Sequence, residues 1–145
     1  MPLAPKPSAA SRIRLALKLY RVTSIITGSF LLLLCLMMIL RYGFGVDIEL
    51  AGPFGVIYLD PREAIAARGG INLSTWILIA HGWFYVLYVA SDFNLWSPMR
   101  WNPLRLMIMF LGGIIPLLSF ILERRIHREV VGWLDSVGTT DKVAA

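Results

Sequence analysis

The chain has 145 residues, of which 57% are hydrophobic and 16% charged, against the roughly 25% charge usual in soluble domains. That balance, with a mean hydropathy of +0.68, excludes an ordinary soluble domain and implies a single membrane domain; no block repeats at a fixed period. The formal net charge is +5, but the basic residues gather beside apolar runs and do not interleave with aromatics on a polar surface. This favours anionic lipid headgroups over nucleic acid as the partner.

Residues 1–10, MPLAPKPSAA, carry three prolines and read as a disordered tail. Ser11 can cap a basic segment that leads into the first apolar run, residues 19–40. Lys6, Arg12, Arg14, Lys18 and Arg21 precede this run like the flank of a secretory signal. The run is nevertheless longer than the roughly 7–15 residues of a signal core, and RYGFG after it offers no small-residue cleavage site. It reads as a membrane helix. Cys35, the single cysteine, lies inside it as a small hydrophobe, and LLLC lacks the small residue a lipoprotein site needs.

The connection over residues 41–71 contains DPREAIAARGG. Asp60 as cap, Pro61 in the first turn, Glu63 at the capping-box position and Gly69-Gly70 as the stop predict a helix of about two turns. Before it, residues 50–59 are apolar but too short to span, and Asp47 and Glu49 make a longer crossing costly. An interfacial or re-entrant segment is the expectation there.

Two further runs, residues 73–90 and 104–122, approach the roughly 20 residues that a bilayer requires, and a helix satisfies its own backbone groups in hydrocarbon. Asn72 or Ser74 can cap the second helix; Asn102-Pro103 supplies a cap and a first-turn proline for the third. Trp96 and Trp101 bracket an interfacial hairpin. The predicted fold is an all-α membrane protein, a bundle of three transmembrane helices over residues 11–129, followed by a carboxyl tail, 130–145.

Orientation is balanced. With three spans and a cytoplasmic amino terminus, Lys6, Arg12, Arg14, Lys18, Arg21, Arg100 and Arg105 lie inside, and Arg41, Arg62, Arg68, Arg124, Arg125, Arg128 and Lys142 outside. A crossing by residues 42–59 would restore a strong positive-inside bias, but hydropathy opposes it. The dense basic cluster before the first helix favours a cytoplasmic amino terminus.

Polar residues form stripes at helical spacing. His81, Tyr85, Tyr88 and Asp92 follow i, i+4, i+7, i+11 on the second helix and are the candidate functional face, which must meet protein or water. The first helix offers Ser24, Thr27 and Gly28; Gly82 stands beside His81; Gly112, Pro116 and Ser119 mark the third. Small residues and hydroxyls at these places are what helix packing uses, and Pro116 is expected to kink the third helix. His81 has three readings: a structural imidazole bonded to Thr23, Thr27 or Ser119, a proton-accepting or ligand-contacting group, or a metal ligand. The last lacks a second ligand at that depth, since His127 lies beyond the third helix. Arg124, Arg125 and Arg128 with Trp133 suit lipid headgroups, on a segment that either extends the third helix or turns along the surface.

YRVTSIITGSFLLLL ending in LRYGF, AHGWFYVLYVASDFNL, and MRWNPLRLMIMFLGGIIPLLSFILERRIHRE together resemble an uncharacterised family of small three-helix integral membrane proteins of bacteria, notably actinobacteria. The resemblance implies a plasma-membrane protein and supplies no substrate, cofactor or catalytic residue. Members often have a shorter first connection, so residues 41–71 are a departure.

No nucleophile-base pair, phosphate loop or intramembrane carboxylate dyad is present in the sequence, so no catalytic, cofactor or metal site is expected. The leading reading is a non-catalytic component of a membrane assembly, self-associating or bound to a larger complex. The alternative is an oligomeric transporter of small solutes or protons that uses the His81, Tyr85 and Tyr88 face.

Overall fold

A computed structural model describes residues 5–143. Residues 1–4 of the expected tail and 144–145 of the carboxyl segment lie outside the described residues. A 3-10 turn, Pro7–Ala9, leads into α1, Ala10–Gly43, so the helix starts ahead of the Ser11 cap, with proline at the position that needs no N–H donor. The 34 residues of α1 span about 50 Å at about 1.5 Å each. Later in the chain α3, Leu73–Met99, has 27 residues, or about 40 Å. It begins where the Asn72 side chain accepts the Thr75 N–H at 3.1 Å, and it runs past the expected end at residue 90. Both helices are long and apolar enough to cross a membrane.

The all-α expectation fails in the connection between them. Strands β1, Asp47–Gly52, β2, Gly55–Asp60, and β3, Ile71–Asn72, form an antiparallel sheet in the order β2-β1-β3. Residues 50–59, read as interfacial or re-entrant, are a β-hairpin in which Gly52 pairs with Gly55 across Pro53 and Phe54. The alternation that signals a strand is present in DIEL but inverted: Asp47 and Glu49 are the buried pair, while Ile48 and Leu50 are only half-buried. Glu49 fits because two glycines leave room for it. A Cβ on Gly52 would sit 2.6 Å from its Cδ, and one on Gly70 would overlap its Oε1. The predicted short helix is present as α2, Arg62–Ala67, although Asp60 does not cap it and Pro61 stands at the N-cap. It stops at Gly69, whose φ of +66° is strained for residues with a Cβ.

The third expected span, residues 104–122, is broken. α4, Pro103–Gly112, ends after 10 residues, and α5, Leu118–Val143, begins beyond a turn. Gly112 and Gly113 have poor helix propensity, and Pro116 lacks a donor and disfavours helical geometry at Ile115. Leu117 then takes φ +67°, so the chain reverses instead of kinking. α4 and α5 lie antiparallel: Arg105, in the first turn of α4, bonds Glu129 far along α5 at 2.8 Å. The carboxyl segment extends α5 and does not turn along the surface. Two long apolar helices and a helical hairpin thus stand where three continuous helices were expected.

The chain divides into two compact units, residues 29–83 and residues 1–28 with 84–145. The second has a continuous core in which Ile13, Leu17 and Tyr20 of α1 meet Tyr88, Leu95 and Met99 of α3 and Met109, Leu122, Ile126 and Val130 of the hairpin. The first holds the sheet, and buries Ile65 of α2 and Ile77 of α3. Large apolar side chains remain exposed along both long helices, among them Leu33, Leu36 and Ile39 on α1 and Trp76, Trp83 and Leu87 on α3.

Candidate functional site

The polar stripes of the sequence meet at the break between α4 and α5. The last four carbonyls of a helix have no partner within it, and α3 supplies donors to two of them. Tyr88, fully buried, donates its hydroxyl to the Met109 carbonyl at 2.6 Å, and Tyr85 donates to Phe110 at 3.4 Å. Gly112 and Gly113 let the rings approach, since a Cβ would lie 2.7 Å from the Tyr88 Oη and 2.6 Å from the Tyr85 Cδ2 respectively.

On the other side of the break, Ser24 of α1 donates to the Ser119 carbonyl at 3.2 Å, and Gly28 lies against Ser119 and, at 3.1 Å, the Phe120 ring. The remaining hydroxyls tie α1 to α3. Thr27 donates to the Phe84 carbonyl at 3.0 Å, and Thr23 shares a hydrogen bond with Ser91 at 2.6 Å. At the edge of this seam Arg21 pairs with Glu123 at 3.3 Å. Chemically, the arrangement supplies the carbonyls of a broken helix with donors from its neighbours.

The other singled-out residues fall differently. Asp92 is completely buried, and neither carboxylate oxygen takes a hydrogen bond among the described residues. His81 is half-buried and belongs to the unit of residues 29–83. Thr23 and Thr27 direct their hydroxyls to Ser91 and Phe84. Gly82 is exposed, and a Cβ there would meet nothing within 4 Å. Pro116 is exposed in the turn. Among the described residues no three His, Cys, Asp or Glu side chains gather to hold a metal ion.

A second polar cluster, in residues 29–83, was not apparent from the sequence. Asp47 accepts two bonds from the Arg41 Nε at 3.1 Å and one from its Nη2 at 2.9 Å, with Asn72 at 2.9 Å and Ser74 at 3.0 Å. Burial alone would raise the Asp47 carboxyl, but the bonds from Arg41, Asn72 and Ser74 together hold it below its ordinary value. Glu49 pairs with Arg68 at 2.9 Å, and Arg68 also pairs with Asp60 and lies over the Phe54 ring at 5.2 Å. The bonds to Asp60 and then Glu49 move the Arg68 guanidinium above its ordinary value. The only sequence signal was two acids at i, i+2 between apolar residues, which reads as an obstacle to membrane crossing before it reads as a strand with a charged inner face.

The profile of a family described as "Domain of unknown function (DUF3817)" matches residues 17–128. Uncharacterised proteins of Mycobacterium tuberculosis and Mycobacterium bovis are each 31% identical over 122 residues, which cover 84% of this chain and 82% of theirs. An uncharacterised protein of Mycobacterium leprae is 38% identical over 55 residues, 38% of this chain and 46% of its own. No solved structure matches the chain. The chain belongs to the DUF3817 family.

Proposed function

We propose, from the two long apolar helices and the exposed edge of the sheet, that the protein is a non-catalytic integral component of the bacterial plasma membrane that works by associating with itself or with a larger membrane assembly. In this reading α1 and α3 cross the bilayer, and the α4–α5 hairpin enters and leaves from the cytoplasmic face. The 10 residues of α4 reach about 15 Å, half of the roughly 30 Å hydrocarbon core. Its tip packs on Ser24, Gly28, Tyr85 and Tyr88, all within the apolar runs of α1 and α3.

The break also removes the tie in basic residues. With two spans, Lys6, Arg12, Arg14, Lys18, Arg21, Arg100, Arg105, Arg124, Arg125, Arg128 and Lys142 share the side of both chain ends. Arg41, Arg62 and Arg68 alone of the 14 lysines and arginines lie opposite. This is the positive-inside pattern with both ends cytoplasmic.

The observation that carries association is the free edge of the sheet. β2 stands at one edge with Val56, Ile57, Tyr58 and Leu59 all exposed. An exposed apolar strand edge is a template for pairing with another chain. Cysteine placed at residue 57 in a Cys35→Ala background, crosslinked in the native membrane, is expected to capture a second copy or a neighbour. A lone monomer in both mild detergent and the crosslinked membrane would refute the reading.

Transport through an oligomer draws support from one place, the unpartnered buried carboxyl of Asp92, which a proton or cation could visit. The Tyr85 and Tyr88 hydroxyls, by contrast, are engaged with carbonyls. His81→Phe and Asp92→Asn should both abolish flux in proteoliposomes if this reading holds; flux equal to the parent protein's would dismiss it.

A further inference from the structure

The α4–α5 hairpin has an outer surface with two chemistries. On α4, Leu104, Met107, Ile108 and Leu111 are exposed at i, i+3, i+4, i+7, one continuous apolar face. Leu117 in the turn and Ile121 on α5 continue it near the tip. One to two turns further from the tip, the same side of α5 carries Arg124, Arg125 and Arg128, all exposed and none in an ion pair among the described residues.

Between the helices runs a groove of about 280 Å³ lined by Leu104, Ile108, Leu122 and Ile126, with Arg125 on its rim. Arg125 also borders the adjoining hollow with Arg124 and Arg128. The neighbouring acids are occupied: Glu129 pairs with Arg105 and Glu123 with Arg21. The surplus of positive charge therefore stands along the α5 side of a mainly apolar channel, whose lining also includes Asn102 and Arg105. Arg124 lies six residues beyond Leu118, the first residue of α5, about 9 Å of helix, which brings the arginines to headgroup level when the tip is immersed in one leaflet.

We propose that this groove binds one anionic phospholipid of the cytoplasmic leaflet, its phosphate held by Arg125 with Arg124 and Arg128 and an acyl chain lying along Leu104, Ile108, Leu122 and Ile126. The inference rests on the membrane reading above. Guanidinium groups suit phosphate oxygens because their planar donors pair two at a time. The apolar lining explains why a lipid, and not free phosphate, is the occupant: phosphate alone would leave the groove empty.

The test uses the full chain in detergent, with phosphatidylglycerol and phosphatidylcholine of identical acyl chains offered together and retained lipid counted by native mass spectrometry. One phosphatidylglycerol is expected to be retained with a preference of about tenfold or more. The triple variant Arg124→Gln, Arg125→Gln, Arg128→Gln should lose that preference. Arg12→Gln, Arg14→Gln, equal in kind but on α1, should keep it. Ile108→Trp, which fills the groove from an exposed position, should reduce retention of both lipids.

Equal retention of the two lipids by the parent protein would overturn the proposal, as would a preference undiminished in the triple variant. A preference lost equally in the α1 variant would also overturn it, by showing diffuse attraction in place of a site. Displacement of the lipid by millimolar inorganic phosphate would identify an anion site without a lipid channel and overturn it as well. Carbonate extraction of native membranes separates this proposal from its premise: a chain that resists extraction but shows no preference refutes the lipid site alone, and a chain that washes off refutes both.

Discussion

Replacing Tyr88 by phenylalanine removes a single oxygen from the centre of the α4–α5 break. The ring keeps its packing against Tyr20, at 6.0 Å between centroids, and the glycines beneath it still fit. The loss is the 2.6 Å bond to the Met109 carbonyl, one of the four that α4 leaves without an internal partner. A buried acceptor left unpaired costs about 1–3 kcal/mol, while interhelical hydrogen bonds in membranes average about 0.6 and reach about 1.7. A short bond from a fully buried tyrosine belongs near the top of the second range, so Tyr88→Phe should cost about 1.5 kcal/mol. Tyr85→Phe offers the internal comparison: its bond is 3.4 Å long and its ring half-buried, so about 0.5 kcal/mol is expected. Reversible unfolding of the full chain in mixed micelles of rising SDS fraction, followed by tryptophan fluorescence, measures both. A Tyr88 effect below about 0.5 kcal/mol, or a Tyr85 effect as large, refutes the role given to the seam.

Asp47→Ala should loosen the sheet by about 2–3 kcal/mol, discounted from a fully buried pair because Arg41 is partly exposed, as read by hydrogen exchange of the β1 and β2 amides. Because the folded Asp47 carboxyl sits below its ordinary value, its stabilisation is complete above the unfolded pKa and is lost as pH falls through the folded one. Protection factors of the sheet amides, with the intrinsic exchange rate divided out, should therefore fall below about pH 4 and stay constant from pH 5 to 7. Gly28→Leu, which drives a side chain into Ser119 and Phe120, should expose a reporter cysteine at residue 115 to a thiol reagent that does not react with the parent. Gly82→Ala meets no neighbour and gains helix propensity of up to about 1 kcal/mol, so it should unfold no earlier than the parent; a clear loss would show that Gly82 contacts another chain.

Periodicity made the two long helices legible, because 3.6-residue patterns and apolar length register directly in sequence. The third run looked equally good by length and failed on conformation. Its Gly112 and Pro116 read as packing residues within a continuous helix, whereas the reversal there is supported by the turn's own backbone bonds and by the tyrosines donating to Met109 and Phe110. Those donors come from a different helix, a fact no local pattern contains. The sheet was missed for the opposite reason. A strand is expected to hide its apolar side, whereas β1 hides Asp47 and Glu49 because Arg41 and Arg68 come from beyond each end of the hairpin. Of the candidate face, Tyr85 and Tyr88 donate to carbonyls at the α4–α5 break; His81 belongs with residues 29–83, and the Asp92 carboxyl is buried.

The topology of the α4–α5 hairpin is tested most directly by single cysteines at residues 8, 57 and 136 in a Cys35→Ala background, labelled in intact cells with a membrane-impermeant maleimide before and after permeabilisation. Two spans with a re-entrant hairpin give labelling at residue 57 from outside and at residues 8 and 136 only after permeabilisation. Labelling of residue 136 from outside, with residue 8 still protected, would mean that the third apolar segment crosses the bilayer and would contradict the hairpin.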